Sequence, residues 1–259
     1  MLARLRAAGF DVATRNHAAA ILSVDFPDET AELVETLLGF RIATEELVRG
    51  GGGESGQTRR LRRALSDLGW RKHNFVVRTI VDGAEREAVS HEIDHVRRGP
   101  GGTLALEIEW NNKDPFFDRD LENFQRLHAL SAVSVGVIVT RGASLQAALL
   151  PRIRGWMESA GLGSDADLDR LGIGARTVAQ AAAVRRLVAQ GVPYAEGFAR
   201  RFVSDKFGVA TTHWAKLESR VQRGVGNPCP LLLVGLPDGI LADAPVPPVP
   251  VPPGLFGET

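Results

Sequence analysis

The sequence predicts an α/β fold with a central sheet flanked by helices, and three observations carry that prediction. Short β-rich runs recur along the chain: "HNFVVRTIVDG" (73–83), "EAVSHEIDHV" (87–96), "GGTLALEIEW" (101–110), "SAVSVGVIVTR" (131–141) and "CPLLLVGL" (229–236). Gly, Pro and Asp-Gly turn signals bound them, and segments with apolar residues at helical spacing stand around and between them. At 259 residues and 44% hydrophobic content, the chain can bury a sizeable core.

Taken in order, "AAAILSVDF" (18–26) is short, apolar and stopped by Pro27, which reads as a strand or buried segment. Residues 27–50 open with Pro27 and Asp28 and place Leu33, Leu37 and Phe40 on one face, predicting a helix with Gly39 as its break. The glycine-rich stretch 50–56 is a loop and not a phosphate-binding loop, since no Gly-Lys-Ser/Thr closes it. "QTRRLRRALSDLGW" (57–70) reads as a basic helix with Leu61, Leu65 and Leu68 inward and Arg59, Arg60, Arg62 and Arg63 outward. "DRDLENFQRLHAL" (118–130) is a helix with Asp118 or Asp120 at its positive dipole end. Further helices are expected over 143–161, 175–191, 194–208 and 211–224. The Pro-Val tail 237–259 lacks helix or ladder potential and is expected to be extended or disordered.

No apolar run spans a bilayer and the N-terminal stretch lacks an apolar secretory segment, so a cytoplasmic protein is expected. One cysteine, Cys229, excludes an internal disulfide and a four-cysteine zinc site. Net charge is zero, but Lys and Arg outnumber Asp and Glu by 6 to 2 in 54–73 and by 12 to 7 in 151–226, whereas 74–120 has 6 against 10. Basic flanks around an acidic middle suit a surface that grips phosphates while presenting carboxylates to a metal.

Two motifs compete for that metal. His91-Glu92-Ile93-Asp94-His95 fits the H-E-x-x-H pattern, which binds zinc when both histidines lie one turn apart on a helix. The box is similar to that of peptide deformylases. That family's upstream glycine-rich and cysteine-bearing motifs are absent here, and Cys229 lies 134 residues beyond His95. The alternative activity is therefore a zinc hydrolase using His91, Glu92 and His95.

If the same residues form a strand, Glu92, Asp94 and Val96 share one face, opposite His91, Ile93 and His95. A turn at "RRGPGG" returns the chain as "TLALEIEW", with Ala105, Glu107 and Glu109 on one side and Leu104, Leu106, Ile108 and Trp110 on the other. Asp94, Glu107 and Glu109 can then meet on one side of a hairpin. Three adjacent buried carboxylates repel one another, and a divalent cation removes that cost. Mg²⁺ fits, since it takes hard oxygen ligands and keeps several waters. Asp94 and Glu107 are the candidate ligands, with the Ile108 carbonyl as an addition, and Glu109 is placed to orient or deprotonate a water.

An acid followed by E-x-K on a hairpin marks the PD-(D/E)xK nucleases, and here Glu109 fills the lysine slot. That replacement is similar to the BamHI and BglII class of type II restriction endonucleases. "GWRKHNF", "HEIDHV", "LEIEWNNKDPFFDRDLENFQRLH", "VSVGVIVTR" and "TTHWAKL…GNPCPLLLVGL" resemble the BglII-type family over roughly residues 50–236. The resemblance implies a restriction-endonuclease-like core with a central mixed sheet, occupying a nuclease domain over 1–236 whose C-terminal half is basic and helical. It also implies Mg²⁺-dependent, site-specific cleavage of double-stranded DNA by a homodimer at a palindrome. Asp94 and Glu107 become metal ligands and Glu109 the water-positioning residue. The class uses a further acid or amide upstream, for which Asn74 and Glu92 are the candidates. Lys113 stands either as a substitute cation or as a loop lysine, and Phe116 and Phe117 read as core. Arg59, Arg60, Arg62, Arg63, Arg71 and Lys72 are candidate phosphate contacts. Lys206, Thr211, Thr212, His213 and Lys216 are candidate groove or phosphate contacts at a helix start.

Overall fold

The computed structural model describes residues 1–49, 55–174, 176–243, 246 and 249. Six strands form a mixed sheet in the order β1-β7-β6-β5-β4-β3. They are β1 (Asp11–Arg15), β3 (Arg71–Val81), β4 (Ala84–Gly99), β5 (Gly102–Glu109), β6 (Val135–Arg141) and β7 (Leu231–Leu236). The central strands β5, β6 and β7 run parallel to one another, and the remaining neighbours pair antiparallel. β6 and β7 are buried along their whole length, as parallel strands covered on both faces should be. A small parallel pair, β2 (Ile42–Ala43) and β8 (Leu241–Ala242), stands apart.

Alternation divides the core between the two faces. Leu104, Leu106, Val135, Val137, Val139, Leu232 and Val234 join the larger cluster, under α1 (Leu2–Ala7), α2 (Ala18–Val24), α3 (Pro27–Gly39) and α5 (Gly56–Asp67). Ala105, Ile138, Leu231 and Leu233 join the second, under α6 (Phe116–Ala129) and α11 (Trp214–Gln222). A third cluster gathers α4 (Thr44–Val48), α7 (Ala143–Ser159), α8 (Asp165–Arg170), α9 (Val178–Ala189) and α10 (Tyr194–Lys206). α6 lies directly against β6 because residue 136 is glycine: a Cβ there would stand 2.4 Å from Phe124 Cδ2. This closeness fixes how far α6 reaches over β5.

Most elements fall where periodicity puts them. The β3–β4 turn is Asp82-Gly83, both at positive φ, as a two-residue hairpin connection requires. α5 begins at Ser55, whose hydroxyl accepts from Thr58 N–H at 3.4 Å.

Three expectations are corrected, and one strand has no counterpart in the sequence reading. Residues 18–24 are helical, because Ala18 and Leu22, four apart, bury one face of an alanine-rich turn. β1 is a short, half-buried edge strand whose weak alternation gave no signal. Folded structure continues past 236, since Ile240 and Leu241 are buried and β8 pairs with β2. The rest of the expected tail lies mostly outside the described residues, as does the glycine loop over 50–54. Finally, Phe117 is core but Phe116 is exposed, lying under the Arg119 guanidinium.

Candidate active site

The candidate site lies where the sheet opens. β4 pairs with β5 only from Gly99↔Gly102 to His95↔Leu106. β5 then continues beside β6 to Glu109↔Thr140, while β4 leaves with β3. A β-bulge marks the parting: three residues of β3, from Arg71 to His73, span four of β4, from Val96 to Ile93. Bulges commonly re-aim side chains beside functional sites. Here the extra residue breaks the expected alternation, so Val96 joins Ile93 in the second core cluster while Asp94 stays exposed. Freed from the β4–β5 ladder, Asp94 N–H donates to Glu107 Oε1 at 3.4 Å.

α6 contributes to the same opening. His91 Nδ1 and Asn123 Oδ1 lie 2.9 Å apart, which ties the helix to β4. Arg220 Nε donates to Asp118 Oδ2 at 2.9 Å and ties it to α11. Asp120 is thereby held beside Glu109, close enough for its charge to act on that carboxyl. Arg119 Nε and Nη2 donate to Asp120 Oδ1 at 2.9 and 2.8 Å, and Nη2 lies 3.8 Å from Glu109 Oε1. Asn112 Nδ2 donates to Glu109 Oε2 at 2.9 Å, and Thr140 Oγ1 donates to the Glu109 carbonyl at 2.7 Å.

Three of these acids are nearly inaccessible: Glu107 is 4%, Glu109 3% and Asp120 0% exposed. Burial, reinforced by the charges of Asp120 and Asp94, holds Glu107 well above the usual carboxylate range. Burial and the Asp120 charge push Glu109 up to about 8. Burial raises Asp120 as well, with Arg119 acting against it. Asp120 Oδ2 is buried with no partner, a loss that ordinarily costs about 1–3 kcal/mol. Arg119 sets one positive charge against these three carboxyls. Their donors are hard oxygens, matching a magnesium-like ion held by one or two carboxylates and completed by water and phosphate. Among the described residues no three His, Cys, Asp or Glu side chains form a ready-made metal cluster.

Asp94 also faces a cleft of about 410 Å³ lined by Arg59, Arg62, Arg63, Ser66, Asp67, Trp70 and Lys72. Basic side chains of α5 therefore stand beside the acid. Trp70 Nε1 donates to Glu32 Oε2 at 3.1 Å, and Arg97 donates to both Glu32 oxygens at 2.7 and 3.0 Å. These bonds hold α3, the end of α5 and β4 together around the cleft.

Other expected residues fall differently. His91, Glu92 and His95 lie on a strand, and His95 Nδ1 is 3.3 Å from the Leu106 carbonyl. Burial pushes His95 down to about 4. The helical spacing that a zinc site needs from H-E-x-x-H is absent, so the zinc-hydrolase alternative fails on geometry. Asn74 and Glu92 are opposite each other on β3 and β4, both exposed, and Glu92 pairs with Lys72 at 2.7 Å. A further acid inside the opening is Asp120, fully buried on α6. Arg60 is bound to Glu46 and to the Arg41 carbonyl, and does not line the cleft. Lys206 packs over Phe202 and Phe207 and reaches the Leu47 carbonyl at 3.3 Å, which ties it to the helical cluster.

Lys113 is exposed and forms an isolated bridge with Thr211, joining the loop after β5 to the loop before α11. Thr212 is buried, with its N–H on the Asn112 carbonyl at 2.8 Å. His213 is half-buried, and Lys216 pairs with Asp114 at 3.1 Å. Arg141, fully buried, clamps both loops: Nε donates to the Trp110 carbonyl at 2.7 Å, and Nη2 to Thr211 Oγ1 and the Thr212 carbonyl at 2.6 Å. Nothing in the local sequence around Arg141 singled it out from an ordinary strand-end arginine. Ile108 sits between the two glutamates and packs on the larger core.

A mixed sheet that splays around buried acids, beside an arginine-lined cleft, defines an α/β nuclease of the restriction-endonuclease kind. The chain belongs to the BglII/BglIII family of restriction endonucleases, whose family model, "Restriction endonuclease BglII/BglIII", matches residues 10–236. It is a type II restriction endonuclease, a site-specific hydrolase of double-stranded DNA, and enzymes of this kind generally use divalent metal ions. No curated protein matches the chain.

Proposed function

We propose that the enzyme cuts double-stranded DNA with Mg²⁺ held by Asp94 and Glu107, the Ile108 carbonyl adding a third oxygen. The observation that carries this is the meeting of Asp94 N–H with buried Glu107 where β4 and β5 part, beside Glu109 and Asp120. Bound there, the ion would supply charge for the scissile phosphate and acidify a water. Glu109, restrained by Asn112 and by the α6 side chains, orients that water and accepts its proton. Arg59, Arg62, Arg63 and Lys72 in the cleft hold the neighbouring backbone phosphates, with Arg71 on the adjoining strand. The loop and helix start carrying Thr211, Thr212, His213 and Lys216, with Lys113 beside them, form the surface that meets the DNA grooves.

A homodimer acting on a short palindrome follows from the twofold symmetry such sites share with their readers. The nuclease domain expected over 1–236 extends through β8, whose Leu241 joins its core. Among the described residues no helix is long and apolar enough to cross a membrane, which accords with the cytoplasmic location proposed for an enzyme of restriction. Digestion of a long DNA of known sequence, followed by end mapping, tests the reading. Discrete fragments with 5′-phosphate ends that require Mg²⁺ support it. Smears, or cutting that survives chelation, would sink it.

A further inference from the structure

Glu109 is gripped from two sides. From the turn after β5, Asn112 donates to Oε2 at 2.9 Å. From α6, Arg119 Nη2 stands 3.8 Å from Oε1 and 2.8 Å from Asp120 Oδ1, so the guanidinium links the two carboxyls. Asp120 is the fifth residue of α6 and is fully buried. Its hydrogen-bond partner is Arg119, not the helix's first N–H groups. Adjacent residues on a helix ordinarily point apart. Here Arg119 bends across the Phe116 ring, 4.5 Å from its centroid, to place two donors on Asp120 Oδ1. The second oxygen, Oδ2, is buried and unpartnered. Helix placement leaves Asp120 little freedom, because Gly136 admits α6 against β6 and Asp118 and Asn123 anchor it at Arg220 and His91.

We propose that Asp120 is a positioning residue for DNA hydrolysis: a buried brace, steadied by Arg119, that sets the Glu109 carboxyl where the attacking water must be oriented. The proposal rests on the reading of Asp94 and Glu107 as cation ligands and of Glu109 as the water-positioning group. It assigns the role of fourth acid to a helix residue downstream of the strand motif.

The test compares the unsubstituted enzyme with Asp120→Ala, Asp120→Asn, Arg119→Lys and, as a control, Asp94→Ala. Single-turnover cleavage with Mg²⁺, Tb³⁺ binding by luminescence and duplex binding in Ca²⁺ are measured for each. Asp120→Ala is expected to slow single-turnover cleavage about 10²-fold, the usual consequence of a misplaced reacting group. Its Tb³⁺ and duplex affinities should stay within about threefold, less than 1 kcal/mol. Asp120→Asn, which keeps the shape and an acceptor for Arg119, should recover about tenfold of that loss. A purely structural role would lower melting temperature, duplex binding and rate together, with no recovery in Asp120→Asn, and would overturn the proposal. So would folded Asp120→Ala cutting at the unsubstituted rate, or losing Tb³⁺ as a direct ligand would. Should Asp120→Ala not fold, unchanged cleavage in both Asp120→Asn and Arg119→Lys overturns it, and slowed cleavage with intact Tb³⁺ binding supports it. If Asp94→Ala leaves Tb³⁺ binding and cleavage intact, the reading of the site falls first and takes the proposal with it.

Discussion

Glu107 Oε1 accepts the main-chain N–H of Asp94 across 3.4 Å, at the point where β4 and β5 cease to pair. One strand's lost ladder partner thus becomes the support of the acid proposed on the other strand as a metal ligand. The structure accepts a buried, raised carboxyl there, with burial as the chief cause. Glu107→Gln keeps the shape and removes the charge. Cleavage should fall by at least about 10²–10³-fold, the range for losing one preorganised electrostatic group. The metal-free protein should melt higher, by at least about 2 °C, the shift that 1 kcal/mol gives in a chain of this size. Paired single-turnover and calorimetric measurements check this, and a variant that is both active and less stable contradicts it.

The pH dependence of the metal-free protein follows from Glu109, raised from 4.5 to about 8 chiefly by burial and then by the Asp120 charge. A carboxyl raised on folding leaves the native state holding a proton that the unfolded chain has released. Its stabilising contribution is full below pH 4.5 and disappears as pH climbs through about 8. Added Mg²⁺ should offset the repulsion that deprotonation creates. The melting-temperature gain on adding Mg²⁺ should therefore be larger at pH 8.5 than at pH 6, roughly the two sides of that transition. Equal gains at both values would mean that the acids and the ion do not interact.

Much of this arrangement is legible before any coordinates, and the limits are physical. Strand period and spacing bring out Glu107 and Glu109 because β5 is regular, with both acids on the face of Ala105. Asp94 is found by the same rule, but its true surroundings are not, because a bulge changes the face of every residue beyond it and leaves no composition signal. Asp120 escapes entirely. An acid near a helix start usually answers the dipole, and only the approach of α6 over Gly136 turns this one toward Glu109. The H-E-x-x-H box misleads for the opposite reason: five residues fit a pattern whose meaning depends on a helix, and β3 pairing makes them a strand.

That distinction gives a direct comparison of histidine variants. His91 touches Asn123 on α6, so His91→Ala should cost roughly 1 kcal/mol of stability, a typical single hydrogen bond, with cleavage changed only a few-fold. No zinc should copurify at stoichiometric level with either the unsubstituted protein or the variant. Elemental analysis beside a cleavage assay decides it. Stoichiometric zinc lost in His91→Ala would restore the hydrolase alternative.

DNA backbone contacts predict a salt signature. Arg63 is exposed on α5 and lines the cleft beside Asp94. If it neutralises one phosphate, Arg63→Ala should reduce the slope of log affinity against log salt by about 0.9 and weaken binding similarly for all duplex sequences. Fluorescence anisotropy over a salt series, with Ca²⁺ in place of Mg²⁺, measures this. An unchanged slope would remove Arg63 from the phosphate surface.

Arg141 shows how a residue away from the acids can govern them. Its guanidinium is fully buried and has only neutral acceptors: the Trp110 and Thr212 carbonyls, Thr211 Oγ1 and Gln146 Oε1. Burial pushes its pKa down to about 9, a sign of how little charge compensation it has. Its neighbour Thr140 holds the Glu109 carbonyl, so residues 140 and 141 together fix the end of β5 and the loop that bridges to Lys113. Arg141→Met fills similar volume but strands several acceptors, which should cost about 2–3 kcal/mol by loss of charge-assisted hydrogen bonds. Because those acceptors lie on both loops, the rate of cleavage and the affinity for duplex DNA should fall together. Asp120→Ala, by contrast, is expected to separate rate from affinity. Denaturant melts and duplex titrations on the two variants distinguish the roles, and an Arg141→Met protein of unaltered stability would show that the buried guanidinium is dispensable.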